Sequence, residues 1–185
     1  MDELKFPEIE IIKTLVFEGE VKISEKDILE ANVSTCVSVC LYHPGHKIGG
    51  MCHITRSREH DVTPSEEYLK TGGYYYADEA MPRLLELLRE RCPSIIEGNL
   101  ESVLAGGRDN AGLITETYNE LRKYGFRSIR LDVDQDLFRD VSLNPVSGIV
   151  TIIKYIPYSR TTPFLSSKPE EKKEICLLDI NPQNL

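Results

Sequence analysis

The chain has 185 residues, of which 41% are hydrophobic and 28% charged, and its formal net charge is -8. This composition predicts one soluble globular domain, and the acidic balance argues against nucleic acid or an anionic membrane as a partner. No apolar run reaches the roughly 18 residues of a membrane span, and the acidic start MDELKFPEIE resembles no secretion signal. The five irregularly placed cysteines indicate reduced thiols, so we expect a cytoplasmic protein without membrane insertion.

The first third of the chain predicts strands. Two short runs rich in β-branched residues flank Glu18-Gly19, which is typical of a hairpin turn. A second hairpin is predicted over 36–55, where the turn HPGHK separates STCVSVCLY from IGGMCHIT. This hairpin brings Cys36 and His53 to the same open end. Its first strand has one face with Val37, Val39 and Leu41 and another with Cys36, Ser38 and Cys40.

The middle of the chain alternates helices and strands. Residues 56–72 are polar and predict a loop, after which apolar residues recur at helical spacing from Ala77 to Leu88. Pro82 lies inside that helix and is expected to kink it or reset it locally, because proline lacks the backbone donor. A buried strand is predicted over 100–107. The helix that follows presents Leu113, Thr117 and Leu121 on one face and stops at Gly125.

The last part of the chain predicts two strands and a tail. FRSIRLDV alternates through Ile129, Leu131 and Val133, and GIVTIIKYI reads as a buried strand. We therefore divide the chain into one domain, residues 1–157, and a C-terminal extension, residues 158–185. The apolar island ICLLDI in that extension is interpreted as a strand or clasp docked on the domain, with a partner-binding segment as the alternative.

Three interpretations compete for Cys36 and His53. The first is a pair of buried structural residues, which is the usual fate of an arbitrary cysteine and histidine. The second is a metal site, but a C-x₃-C spacing on a strand separates Cys36 from Cys40 by roughly 13 Å, too far for one ion. The third is a nucleophile at the start of a strand, where main-chain N–H groups can bind an oxyanion and His53 can take the thiol proton. Because the spacing of Cys36 and Cys40 does not suit a shared ion, we predict no metal site.

Five motifs in order resemble the CheD family of chemoreceptor glutamine deamidases. STC at 34–36 is similar to the family's GSC, and HPGHKIGG with His53 matches its GG-x-x-H histidine 17 residues after the cysteine. YYADEAMPRLL at 75–85 resembles the YAD-x-AIP helix, which accounts for the proline. LAGGRDN at 104–110 is similar to FGGA, and LDVDQDLFRDVSLNPVSGIV to the family's segment before the last strand. The resemblance runs from about Gly19 to Ile156.

The resemblance implies hydrolysis of glutamine side-chain amides on methyl-accepting chemoreceptors, in chemotaxis adaptation. Cys36 would be the nucleophile, His53 the acid and base, and Ser34 and Thr35 the oxyanion region, with no cofactor. A CheC-like phosphatase is an implied partner. The implied fold is α+β, a three-layer α/β/β arrangement related to the catalytic domain of cytotoxic necrotizing factor.

The chain departs from the family at the threonine six residues before the cysteine, which is Glu30 here. A Glu30 carboxylate in that place would orient His53 and raise the pKa of the ring. The alternative is that Ser34 or a main-chain carbonyl orients the ring and Glu30 is a solvated residue. The alternative function is a catalytically impaired CheD-like protein that acts as a binding partner in a chemotaxis signalling assembly.

Overall fold

The computed structural model describes residues 11–59, 72–133, 135–156 and 171–177. The described part contains two α-helices and ten strands. The helices are α1 (Ala77–Arg91) and α2 (Ala111–Lys123), with a short 3₁₀ turn, Glu97–Asn99, between them. The strands are β1 (Lys13–Leu15), β2 (Val21–Ser24), β3 (Ile28–Val33), β4 (Val37–His43), β5 (Ile48–Ile54), β6 (Glu101–Gly106), β7 (Ile129–Val133), β8 (Phe138–Asn144), β9 (Ile149–Tyr155) and β10 (Glu171–Cys176).

The strands form two five-stranded sheets, so the fold is α+β. Sheet A has the order β1-β3-β8-β9-β10 and sheet B the order β2-β5-β4-β6-β7. Most neighbours are antiparallel, whereas β1 with β3 and β6 with β7 are parallel. Neither described helix is long and apolar enough to cross a membrane.

The prediction of a β-hairpin at Glu18-Gly19 is wrong. The chain does turn there, and Gly19 has a φ of +74°. However, β1 pairs with β3 in sheet A while β2 pairs with β5 in sheet B. The local turn residues were recognised correctly, but the partners of each strand are set by contacts with distant parts of the chain. The turn is therefore a crossing between sheets.

The hairpin predicted over 36–55 is confirmed as β4 and β5. Its alternation is also confirmed: Val37, Val39 and Leu41 face the helices, whereas Cys40 and Tyr42 face sheet A. Every residue of β5 is buried because both faces of sheet B are covered.

Both predicted helices are confirmed. Helix α1 continues without interruption through Pro82, although the ring leaves the helix one backbone hydrogen bond short. Helix α2 begins after Asn110, whose side chain accepts a hydrogen bond from Leu113 N. Its predicted inner face is buried, and Gly125 follows its end with a φ of +85°.

Two hydrophobic cores hold these elements together. The helix-side core packs α1 and α2 against one face of sheet B; it includes Val39, Ile54, Leu84, Leu104 and Leu121. The inter-sheet core packs the other face of sheet B against sheet A; it includes Leu29, Met51, Val103, Val141 and Ile152. Such burial stabilises a domain by about 25 cal/mol per Å² of apolar surface.

The described part of the C-terminal tail is an edge strand of sheet A. Strand β10 pairs antiparallel with β9, and Leu177 is buried and donates its N–H to Gly148 O. The interpretation of the apolar island as a docked strand is thus confirmed for residues 175–177, whereas 178–180 lie outside the described residues.

A buried ionic cluster joins this tail to the domain, and the sequence reasoning missed it. Asp132 lies on β7, and its carboxylate accepts hydrogen bonds from Arg139 Nε at 2.9 Å and Lys173 Nζ at 3.2 Å. Lys154 lies 3.1 Å from the same carboxylate and 3.0 Å from Glu171. Although burial opposes ionisation, these cations hold the pKa of Asp132 below its usual value. Arg139 is fully buried, and the carboxylate of Asp132 compensates the charge of its guanidinium group.

Candidate active site

Cys36 lies where the chain passes from sheet A to sheet B. Strand β3 ends at Val33 and β4 begins at Val37, so residues 34–36 make the crossing. The Cys36 side chain is half-buried and packs against the inter-sheet core. Burial and the nearby charge of Glu18 raise the pKa of the thiol, whereas hydrogen bonds from the Thr35 hydroxyl and its own N–H lower it. The net effect is an increase, so the resting thiol is protonated at neutral pH.

His53 lies on β5, directly opposite Ser38 of β4. Cys36 precedes Ser38 by two residues and therefore occupies the diagonal position, where Cα atoms of paired strands are roughly 7–8 Å apart. Cys36 packs against the inter-sheet core, and His53 points to the same side of sheet B, because it alternates with Cys52 and Ile54 of the helix-side core. The structure thus places Cys36 and His53 on the same face of sheet B at the same end of the hairpin.

The imidazole of His53 is 4% exposed, and its two nitrogens have different surroundings. Nδ1 lies 3.1 Å from the carbonyl oxygen of Val16, so it carries the proton and donates it. Nε2 is buried and has no hydrogen-bond partner among the described residues. Burial lowers the pKa of the ring, although the Val16 carbonyl and Glu18 act in the opposite direction. His53 is therefore neutral at neutral pH, with Nε2 able to accept a proton.

The segment between β1 and β2 holds His53 along its backbone as well. Gly19 N–H donates to His53 O at 2.9 Å, and His53 N–H donates to Glu20 O at 3.1 Å. Val16 itself is held in place by a hydrogen bond of 2.7 Å from its N–H to Glu30 O. The ring is consequently oriented by main-chain groups on a segment that is fixed to both sheets.

Glu30 does not reach His53 with its side chain. Its neighbours Leu29 and Ala31 point into the inter-sheet core, so Glu30 points to the opposite face of sheet A. There its carboxylate lies 2.7 Å from Lys13 Nζ. The expected carboxylate–imidazole contact is absent, and the pKa of His53 is lowered rather than raised. A main-chain carbonyl, that of Val16, takes the position next to Nδ1.

The loop after β6 fixes the main chain of residues 34–36. Arg108 N–H donates to Ser34 O at 2.8 Å and Gly107 N–H to Cys36 O at 2.7 Å. Asn110 Nδ2 donates to Thr35 O at 3.2 Å. All three carbonyls of the crossing therefore face this loop. Sequence reasoning singled out the LAGGRDN stretch but assigned no role to Asn110.

A main-chain carbonyl was the alternative expected to orient His53, but the sequence did not identify which one, and two further features near the site were not predicted. The Val16 carbonyl leaves no side-chain signal in the sequence, so periodicity and motif matching could not find it. Glu18 is exposed and close enough to shift the pKa of both Cys36 and His53. Ser38 is fully buried and lies directly opposite His53 on the neighbouring strand.

The other cysteines and histidines lie elsewhere. Cys40 and Cys52 are fully buried, and burial raises the pKa of Cys40 to about 12. The rings of His43 and His46 lie tilted to each other with centroids 4.5 Å apart at the far end of the hairpin, and His60 lies outside the described residues. Within the described ranges, no three His, Cys, Asp or Glu residues are grouped to hold a metal ion.

Comparisons with known proteins identify relatives of the chain. No family model matches it. It is 33% identical to the probable chemoreceptor glutamine deamidase CheD of Methanococcus vannielii, over 74% of this chain and 91% of the relative. The protein of the same name from Methanococcus maripaludis is 26% identical, over 74% of this chain and 91% of its own length. That of Syntrophotalea carbinolica is 29% identical, over 65% and 78%. The extent of the first match, together with the order of the shared motifs, shows that the chain belongs to the CheD family.

Proposed function

We propose that this chain hydrolyses side-chain amides of glutamine residues on chemoreceptors, in chemotaxis adaptation, with Cys36 as nucleophile and His53 as general base and acid. The names of the curated relatives support the substrate class and the reaction. The observation that carries the residue assignment is the diagonal placement of Cys36 and His53 with Nε2 of the ring unpartnered. An unprotonated imidazole nitrogen on the same face and at the same end of the hairpin as the thiol supplies the base that nucleophilic attack requires.

The reaction begins from a neutral pair. As Cys36 Sγ attacks the carboxamide carbon, the thiol proton passes to Nε2 of His53. The C–S bond forms and the carbonyl π electrons move onto oxygen, where the developing charge faces N–H groups of the 34–36 crossing. The Val16 carbonyl stabilises the imidazolium by accepting a hydrogen bond from Nδ1–H. No charged partner is needed for this step.

Collapse of the tetrahedral intermediate transfers the proton from Nε2 to the leaving nitrogen, and ammonia departs. The product at this stage is a thioester of Cys36. His53 then takes a proton from water, whose oxygen attacks the thioester carbon, and the thiol is regenerated when the C–S bond breaks. One amide and one water give one glutamate side chain and one ammonia. The cycle needs no metal or organic cofactor.

The wider setting follows from the family. We propose that residues 1–157 form a three-layer α/β/β deamidase domain, related to the catalytic domain of cytotoxic necrotizing factor. The packing of the helices on one face of sheet B and of sheet A on the other supports it. Residues 158–185 are the C-terminal extension. The protein acts in the cytoplasm on chemoreceptors, and a CheC-like phosphatase is its proposed regulatory partner.

Mass spectrometry of a co-expressed chemoreceptor tests the proposal. We expect selected glutamines to gain the mass difference between amide and acid, and this gain to vanish with Cys36→Ala or His53→Ala. Cys92→Ala and His46→Ala are the matched controls, since both side chains lie away from the site. Brief iodoacetamide treatment followed by peptide mapping should label Cys36 ahead of Cys40 and Cys52. If no receptor glutamine were deamidated and Cys36 were not labelled, the result would instead favour the alternative that this chain is a catalytically impaired binding partner.

A further inference from the structure

Asn110 makes two hydrogen bonds that belong to different parts of the molecule. Its Oδ1 accepts from Leu113 N–H at 3.2 Å and so caps helix α2. Its Nδ2 donates to Thr35 O at 3.2 Å. The same side chain therefore fixes the start of a helix and the peptide group that directly precedes the nucleophile.

The second of these bonds determines where an N–H group points. The peptide bond between Thr35 and Cys36 is planar and trans, so its C=O and N–H point in opposite directions. Since the carbonyl faces Asn110, the Cys36 N–H faces away from the 106–110 loop. The preceding peptide has the same orientation, because Ser34 O accepts from Arg108 N–H. The N–H groups of Thr35 and Cys36 are thus turned to the side away from the loop.

The Cys36 N–H borders the sulfur, because the backbone nitrogen and the Cβ that carries Sγ are bonded to the same Cα. This N–H donates toward its own Sγ and lowers the pKa of the thiol, as the Thr35 hydroxyl does. When the sulfur attacks a carbonyl carbon, the carbonyl oxygen comes next to the atoms that border the sulfur. A donor held there before the reaction stabilises charge that develops only in the transition state.

We propose that Asn110 is a positioning residue, whose amide holds the Thr35–Cys36 peptide so that the Cys36 N–H binds the oxyanion formed on the substrate glutamine. This inference rests on the proposed deamidase function. It assigns to Asn110 a role beyond capping: loss of Nδ2 frees the peptide to rotate and lowers the rate of the chemical step. Substrate binding does not use this bond, so KM is unaffected.

The test separates the two hydrogen bonds of Asn110. Asn110→Ser and Asn110→Asp keep a good helix cap but lack an amide donor to Thr35, whereas Asn110→Ala removes both. The substrate is a purified cytoplasmic fragment of a chemoreceptor, and ammonia release gives kcat and KM. We expect kcat to fall about 10- to 100-fold in all three variants, since loss of a whole oxyanion donor costs about 100- to 1000-fold. The melting temperature should fall only in Asn110→Ala.

Alkylation of Cys36 by iodoacetamide provides the second readout. This displacement occurs at a saturated carbon and creates no oxyanion, so Asn110→Ser should keep the wild-type alkylation rate and its pH dependence. A wild-type kcat in Asn110→Ser would overturn the inference. Equal losses of kcat, alkylation and melting temperature would also overturn it and leave Asn110 a structural cap. Failure of the wild-type enzyme itself to release ammonia would instead refute the proposed function, on which the inference depends.

Discussion

The contact of Gly106 with Cys36 can be tested by one added methyl group. A Cβ on Gly106 would lie 2.3 Å from Cys36 O, 3.0 Å from Val33 Cγ2 and 3.1 Å from Val37 Cα. The φ of Gly106 is +109°, which an L side chain rarely adopts. Gly106→Ala therefore introduces a backbone strain of about 1–3 kcal/mol and overpacking of about 1–3 kcal/mol. We expect a loss of about 2–6 kcal/mol in the free energy of unfolding, out of a typical total of about 5–15 kcal/mol.

Two other glycines divide this loss into its parts. Gly125 has a φ of +85° with nothing within 4 Å of an added Cβ, so Gly125→Ala carries the backbone cost alone, about 1–2 kcal/mol. Gly98 has neither a positive φ nor a neighbour within 4 Å, and Gly98→Ala should stay within about 0.5 kcal/mol of wild type. The order of stability should be Gly98→Ala, then Gly125→Ala, then Gly106→Ala.

Urea unfolding followed by far-ultraviolet circular dichroism measures the three losses, because the chain has no tryptophan to report by fluorescence. The midpoints should shift at a constant m-value. Gly106→Ala should also slow alkylation of Cys36, since its carbonyl must move and gives up the 2.7 Å hydrogen bond from Gly107. If Gly106→Ala were no less stable than Gly125→Ala, the close approach to Cys36 would not exist and the argument would fail.

Three further predictions concern charge and protonation. His53→Ala should lower the kcat of deamidation by about 100- to 10,000-fold with little change in KM, while His46→Ala leaves both unchanged. Alkylation of Cys36 should rise with pH up to an inflection above the ordinary value of 9.0, because burial raises the pKa of the thiol and the reactive thiolate forms late; a rate that levels off below pH 8 would contradict this. Glu18→Gln should speed alkylation of Cys36 at pH 8 by about twofold, since it removes a negative charge that disfavours the thiolate. Added salt screens the same charge, so it should also speed alkylation of the wild-type protein. A slower Glu18→Gln variant would mean that the carboxylate assists the thiol.

Local patterns in the sequence predicted the elements that local forces determine. The hairpin β4–β5 follows from the alternation along its first strand and from the proline-glycine turn, and its register brings Cys36 and His53 to one end. Helix α2 follows from the helical spacing of Leu113, Thr117 and Leu121 and from the terminal Gly125. In each case, residues close in the sequence specify the conformation, so a single chain is enough to read it.

The parts that could not be predicted depend on contacts between distant segments. The turn at Gly19 was recognised, but nothing nearby in the sequence says that β1 and β2 join different sheets. Glu30 was expected at the site from its spacing before Cys36. Its alternation with Leu29 and Ala31 places it on the opposite face of sheet A instead, where it meets Lys13. The alternation along β3 can be read from the sequence. The sequence does not show which face of β3 is covered by sheet B.

The proposed nucleophile and the proposed base are both held where the chain changes sheets. Residues 34–36 cross from β3 to β4 and carry Cys36, while residues 16–20 cross from β1 to β2 and bind His53 through the Val16 carbonyl. Within a sheet, neighbouring strands use the backbone N–H and C=O groups; at a crossing those groups are free for other partners. One crossing uses its carbonyl to orient the ring, and the other turns its N–H groups away from the 106–110 loop. The sequence does not predict that the chain changes sheets between β1 and β2. Such changes of sheet nevertheless supply the polar backbone groups that the proposed chemistry requires.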